Sequence, residues 1–223
     1  MNIKYWFAVV IVIVICKIEY AQTYDNIEQK SADILLQLSL KDSAAYTIIE
    51  ELSDILKKNN SSASLGNSNS NQNEIELSLE DSFDEFYFLH KNISFDSALV
   101  LFNQWYLKLN NFYYDFTVER FYSSAKTKIL FFSTSMSCYC TLEMCKNQLI
   151  DILKFVRSNN GAYDYLAIDA YEKDELPLKY ETLFVPSVIV LDDSNQLLYK
   201  IEYDEMMINN LTNYLNEQFR KKR

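Results

Sequence analysis

The sequence predicts an α/β protein: a central four-stranded mixed sheet flanked by helices, preceded by an N-terminal helical extension. Three observations predict it. From Lys126 onward, short runs rich in Ile, Val, Leu and Phe alternate with segments whose apolar residues recur every three to four positions, which is the pattern of strands joined by crossover helices. Between residues 25 and 58 only the helical spacing occurs. The chain has 223 residues, 49% of them hydrophobic, enough apolar mass for a packed core.

The elements follow in order. Lys4 precedes an apolar run from Trp6 to Cys16, about 11 residues where a membrane-spanning helix needs about 20. Residues 1–21 therefore read as a signal peptide cut after Ala21. The expected location is secreted or periplasmic, or the secretory lumen in a eukaryote, with membrane contact only through this segment if it is left uncleaved. Residues 22–58 form a helical segment, with Ile27, Ile34, Leu35 and Leu38 on one stripe and Ile48, Ile49, Leu52, Ile55 and Leu56 on a second. Lys41-Asp42-Ser43 divides the two. Residues 59–73, NNSSASLGNSNSNQN, carry no apolar face to offset ordering entropy and read as a disordered linker. Residues 74–125 are an aromatic-rich, mostly helical lead-in. Ser94 or Asp96 caps a helix there, with Ala98, Leu101, Phe102, Trp105 and Leu109 toward the core. His90 reads as a surface or turn residue.

The grammar changes at residue 126. Ile129 to Phe132 is a buried strand, residues 141–158 a helix stopped by Asn159-Asn160-Gly161, and residues 163–169 a second strand. A short helix around 173–180 leads to a third strand, Ser187 to Leu191. A turn at Asp192-Asp193-Ser194-Asn195-Gln196 leads to a fourth, Leu197 to Tyr203. Asp204 caps a last helix with Met207, Leu211, Tyr214, Leu215 and Phe219 inward. Residues 126–219 make the α/β domain, and 220–223 a basic tail. The first strands, joined through helices, are expected to be parallel and covered on both faces.

Composition narrows the function. The only glycines are Gly66 and Gly161, so no Gly-rich phosphate loop or dinucleotide fingerprint can form. His90 is the single histidine, which removes His-rich zinc sites and most Ser-His-Asp or Cys-His catalysis. The formal charge of −10, concentrated in residues 22–125, argues against nucleic acid as a partner. No cofactor is called for, and no metal is assigned.

Cysteines carry the chemistry. Cys138 and Cys140 stand where the first strand hands over to a helix, and Cys145 follows one turn later. Orphan N–H groups and the helix dipole at such a start favour a thiolate, the reactive form of cysteine. A Cys138–Cys140 disulfide would close a very small, easily reduced ring. Cys138–Cys145 requires the loop to fold back. Cys140 and Cys145 point about 140° apart on a helix.

This order of elements resembles the thioredoxin fold over residues 126–219. Ile168-Asp169 ends the second strand. Lys179-Tyr180 is followed after four residues by Val185-Pro186 and the apolar strand Ser187-Val188-Ile189-Val190-Leu191. One of only two prolines thus falls where thioredoxins place their cis-proline. The resemblance implies thiol–disulfide exchange on protein thiols or disulfides. Cys138 or Cys140 would attack, Cys145 or the other member of the pair would resolve, and Val185 and Pro186 would shape the substrate groove. It also implies that part of residues 22–125 supplies the fold's opening strand and helix.

The motif departs from the family's Trp-Cys-x-x-Cys, reading Met136-Ser137-Cys138-Tyr139-Cys140. Counted from Phe132, Ser137 takes the attacking position and Cys140 the resolving one. Shifted by one residue, Cys138 attacks and Thr141 resolves. The strand position of the family's buried acid holds Phe131 or Phe132. Two rival functions stand beside exchange. One is a non-catalytic thioredoxin-fold interaction module. The other is a Cu(I)-handling protein using Met136, Cys138, Cys140, Met144 and Cys145, the soft ligands Cu(I) prefers.

Overall fold

Eight helices and four strands make up residues 22–63 and 70–221, which are the residues described by a computed structural model of the chain. The expected signal peptide, residues 1–21, lies outside them, as do the last two residues of the basic tail. Helix α1 covers residues 22–39 and α2 Ala44–Ala63. They break where expected: Lys41 adopts φ 56°, and the Asp42 carboxylate accepts from Ala44 N–H to start α2. Helix α3 is Ser70–Leu89. Helices α2 and α3 thus take up both ends of the 59–73 stretch expected as a linker, and its centre, 64–69, lies outside the described residues. Helices α4, Phe95–Phe112, and α5, Tyr114–Ser123, complete the lead-in. Ser94 caps α4, its hydroxyl accepting from Ser97 N–H.

The sheet order is β2-β1-β3-β4, with β1 Thr127–Ser133, β2 Tyr163–Asp169, β3 Ser187–Leu191 and β4 Leu197–Glu202. Helix α6, Tyr139–Ser158, carries the parallel crossover from β1 to β2; α7 is Glu175–Lys179 and α8 Met207–Lys221. Strand β3 runs antiparallel to both β1 and β4. These directions and this order are those of a thioredoxin-like fold. The Val185–Pro186 peptide bond is cis. Gly161, at φ 74°, makes the turn from α6 into β2.

One expectation is corrected. Helix α5 supplies the helix that precedes β1, but the described residues contain no opening strand: in its place α4 and α5 pack against β2. The apolar stripe of α4 is helical in period, so it shields the sheet edge as a helix rather than by strand pairing.

Central β1 is buried from Lys128 to Ser133, as a strand covered on both faces must be. On one face Ile129, Phe131, Val188 and Val190 pack with Leu149 and Leu153 of α6, Leu211 of α8, and the aromatic stripe of the lead-in. That same core continues through Phe102 and Phe83 to Leu35 and Ile49 of the first helices. The helical extension and the sheet therefore share one core. The other face is smaller: Leu130, Phe132, Ile168 and Ile189 pack with Phe121 of α5, and with Leu176 and Tyr180 of α7 and the loop after it.

His90 corrects a second expectation. It is 1% exposed, ringed by Tyr46, Phe86 and Tyr87, with Nδ1 at the Tyr87 carbonyl. Burial lowers its pKa below the ordinary histidine range. The aromatic surroundings that the helices assemble outweigh the polarity read from its local sequence. Lys128 is also fully buried in β1. Its ammonium donates to the carbonyls of Lys126, Asp192 and Asp193, clamping the β3–β4 turn to the sheet.

Candidate active site

The strand end and the helix start fix the first cysteine. After Ser133 the chain leaves the sheet through a turn in which Met136 N–H donates to the Thr134 hydroxyl. Ser135 N–H donates to Asp169 Oδ1 at the end of β2, and the same oxygen accepts from Tyr171 N–H. Asp169 is 1% exposed. It thus ties together the two loops that leave the carboxyl ends of the parallel strands, where ligands of open α/β sheets bind.

Cys138 is the N-cap residue of α6, with extended backbone (φ −65°, ψ 156°). Helix α6 begins two residues earlier than its apolar periodicity indicates, because Leu142 N–H reaches back to the Cys138 carbonyl. Cys138 and Cys140 are exposed free thiols, their sulfurs 2.8 Å apart, against about 2.05 Å for a disulfide. Cys138 Sγ also lies 3.2 Å from the Thr141 hydroxyl. The Cys138 pKa falls to about 7: the Cys140 thiol contributes most, then the Thr141 hydroxyl and the first-turn amides of Thr141 and Cys140. Cys138 thus stands at the helix cap with the Thr141 hydroxyl one turn on.

Cys145 is placed elsewhere. It is 1% exposed, its sulfur faces the Ser133 hydroxyl and the Thr134 backbone, and burial pushes its pKa up to about 11. Of the five sulfur residues considered for Cu(I), Met136, Cys138 and Cys140 are exposed and Cys145 is buried. Among the described residues, no cluster of three or more His, Cys, Asp or Glu side chains has metal-binding geometry.

Val185 and Pro186 lie at the same end of the sheet. Phe132 pairs with Ser187 in the antiparallel register, so the residues before Ser187 run alongside Ser133 and Thr134. The Pro186 carbonyl is taken by Tyr203 N–H at 2.8 Å. The loop before it is held by a residue that sequence reasoning missed: Glu202 Oε2 accepts from Leu183 N–H at 2.9 Å and Phe184 N–H at 3.1 Å. Burial opposes the charge on Glu202, but its ion pair with Lys200 and these two amides hold its pKa below the usual carboxylate range. Asp169 was noted only as the end of a strand. No local motif signals either role, since each depends on a loop distant in sequence.

Around this end of the sheet stand exposed apolar side chains: Met136, Tyr139, Tyr171, Leu183, Phe184 and Met206. Each flanks the end of a strand or the start of a helix at the end of the sheet that carries the cysteines.

No known protein family matches the chain, and neither does any curated protein. Solved structures do. The chain is similar to the germline-specific thioredoxin Deadhead of Drosophila melanogaster, with 22% identity and a TM-score of 0.38 over 48% of this chain and 91% of that one. It is similar to thioredoxin from Trypanosoma brucei brucei, at 16% identity and a TM-score of 0.39 over 46% of this chain and 83% of that one. Mitochondrial thioredoxin 3 from Saccharomyces cerevisiae matches at 14% identity and a TM-score of 0.35, over 44% of this chain and 84% of that one.

Proposed function

We propose that this protein carries out thiol–disulfide exchange on protein substrates, with Cys138 as the attacking thiol and Cys140 as its resolving partner. The observation that carries the reading is the exposed Cys138 at the cap of α6, with a pKa of about 7. Such a thiol is about half thiolate at neutral pH and keeps its nucleophilicity. The Cys138 thiolate attacks one sulfur of a substrate disulfide; the substrate's other sulfur leaves as a thiolate and takes up a proton. Cys140, with its sulfur 2.8 Å away, then attacks Cys138 Sγ in the mixed disulfide. The second substrate thiol is released, the substrate is reduced by two electrons, and a Cys138–Cys140 disulfide remains. A small-molecule or protein dithiol restores the pair. Run in reverse, the small-ring disulfide passes readily to a substrate dithiol, so the couple favours oxidation of substrates.

The apolar rim of Met136, Tyr139, Leu183 and Phe184 supports protein rather than small-thiol substrates. We place the activity in a secreted or periplasmic setting, where disulfides persist, on the strength of the apolar run from Trp6 to Cys16.

A trapping experiment tests the reading. The Cys140→Ser variant, incubated with a disulfide-bonded test peptide, is expected to accumulate a mixed disulfide through Cys138. Cys138→Ser should accumulate none. Absence of adduct in Cys140→Ser would leave the non-catalytic module as the better account.

A further inference from the structure

Asn92-Ile93-Ser94 is an Asn-x-Ser triplet, the acceptor motif for an N-linked sugar in a eukaryotic secretory lumen. A glycan is bulky and hydrated. A folded chain therefore accommodates it on a surface asparagine whose amide is not committed to holding the fold.

Asn92 meets both conditions. It is exposed in the bend between α3 and α4. Its backbone N–H donates to the Leu89 carbonyl at 2.9 Å, and its side-chain amide bonds to nothing among the described residues. Asn210 begins another triplet, Asn210-Leu211-Thr212, and meets neither. It is half-buried in α8, and its Nδ2 donates to the Asp204 carboxylate at 2.7 Å. That carboxylate also accepts from Met206 N–H, and a sugar on Nδ2 would crowd it. Asn59 and Asn60 begin two more triplets, but their side chains lie outside the described residues.

The place of Asn92 keeps a glycan clear of the cysteines. The carboxyl end of α4 faces Ser135 and Asp169 across a cavity that Lys108 and Phe112 also line, at the cysteine end of the sheet. Asn92 lies beyond the amino end of the same helix, about 25 Å away along its axis. Exposed apolar side chains stand at that far end. Phe88, near the end of α3, is 79% exposed, and Leu40, next to the Lys41 that pairs with Asp96, is 65% exposed. A hydrated chain anchored there shields this end from other molecules.

We propose that Asn92 is an N-glycosylation site, carrying one glycan on the outer end of the helical extension, while Asn210 carries none. The proposal rests on the secretory placement of the chain in a eukaryote and not on the exchange chemistry.

The test is expression of the full chain in cultured mammalian cells, once with its own residues 1–21 and once with an established secretory leader in their place. Glycosidase release in heavy-oxygen water, read by peptide mass spectrometry, marks each asparagine that carried sugar. Label at Asn92 and none at Asn210 is expected in both. Asn92→Gln and Ser94→Asp should each lose it. Aspartate preserves the cap that Ser94 gives α4, so the second loss is not a loss of folding. Ser94→Thr keeps both cap and triplet and should retain the label. An unlabelled Asn92 in secreted or lumenal chain carrying the leader would overturn the site, as would equal label at Asn210. Label with the leader but none with residues 1–21 would uphold the site and overturn the secretory placement.

Discussion

Cys138 and Cys145 lie seven residues apart at the two ends of one short stretch, and their surroundings drive them in opposite directions. The first is exposed and sits against a thiol, a hydroxyl and helix-start amides, which bring its pKa to about 7. The second is packed beneath Ser133 and Thr134, and burial lifts it to about 11. Alkylation of variants that retain one of these two cysteines should separate them. Where Cys138 and Cys140 are both kept, the Cys138 rate should rise with a midpoint near that lower value, whereas Cys145 should stay unreactive throughout the native pH range. Thr141→Val removes one of the groups that stabilise the thiolate, so the Cys138 midpoint should move toward the ~8.5 of a free thiol. An unchanged midpoint would mean that the Thr141 hydroxyl plays no part. The sequence already placed Cys138 and Cys140 at a helix start, with Cys145 one turn later. It left the register open, because periodicity locates the body of α6 and not its cap.

At the scale of elements, the loop before Pro186 depends on a carboxylate from another strand. Glu202 on β4 accepts from the amides of Leu183 and Phe184. Its pKa is lowered in the folded state. Its stabilising contribution is therefore complete above the unfolded carboxylate value of about 4.3 and is lost as pH falls through the lower folded value. Glu202→Gln should cost about 1 kcal/mol at neutral pH, since the ion pair is partly solvated. The difference from wild type in chemical denaturation should vanish in acid. If the loop positions substrate, exchange with the test peptide should slow in this variant while Cys138 alkylation stays unchanged. An equal loss of both would point to general destabilisation. The strands and helices of residues 126–219 were legible from apolar runs and turn residues, since those signals are local. The roles of Glu202 and Asp169 were not, because each acts on backbone amides supplied by a distant loop.

At the scale of the molecule, the division read from composition hides a continuous interior. The charge change and polar stretch between the extension and the sheet suggested separate pieces, yet Leu35, Ile49, Phe83 and Phe102 belong to the same core as Phe131 and Val188. Ion pairs reinforce the join, Arg157 on α6 with Asp33 on α1 and Arg120 on α5 with Asp25 on α1. A chain beginning at residue 126 would expose the part of the sheet face and edge that the extension covers. It is expected to lack a cooperative thermal transition, and a sharp melt of that fragment would show that the sheet folds without the extension. His90 shows the same limit of local reading: its burial is created by aromatic residues from α2 and α3 that only the tertiary fold brings around it.

Strand β4 has a single strand neighbour among the described residues and carries the exposed Leu197 and Leu198. An open edge of this kind is a template on which another chain can add. The irregularity at Val190/Leu191 bends the ladder, and the Tyr214 hydroxyl occupies the Leu198 carbonyl. Both blunt the edge locally, while the net charge of −10 keeps copies apart at long range. Only the last of these protections depends on the medium. Near the isoelectric point of about 4.7 it disappears, so the molecule's colloidal life in acid is governed by its sheet margin, and storage well above that pH preserves it as separate molecules.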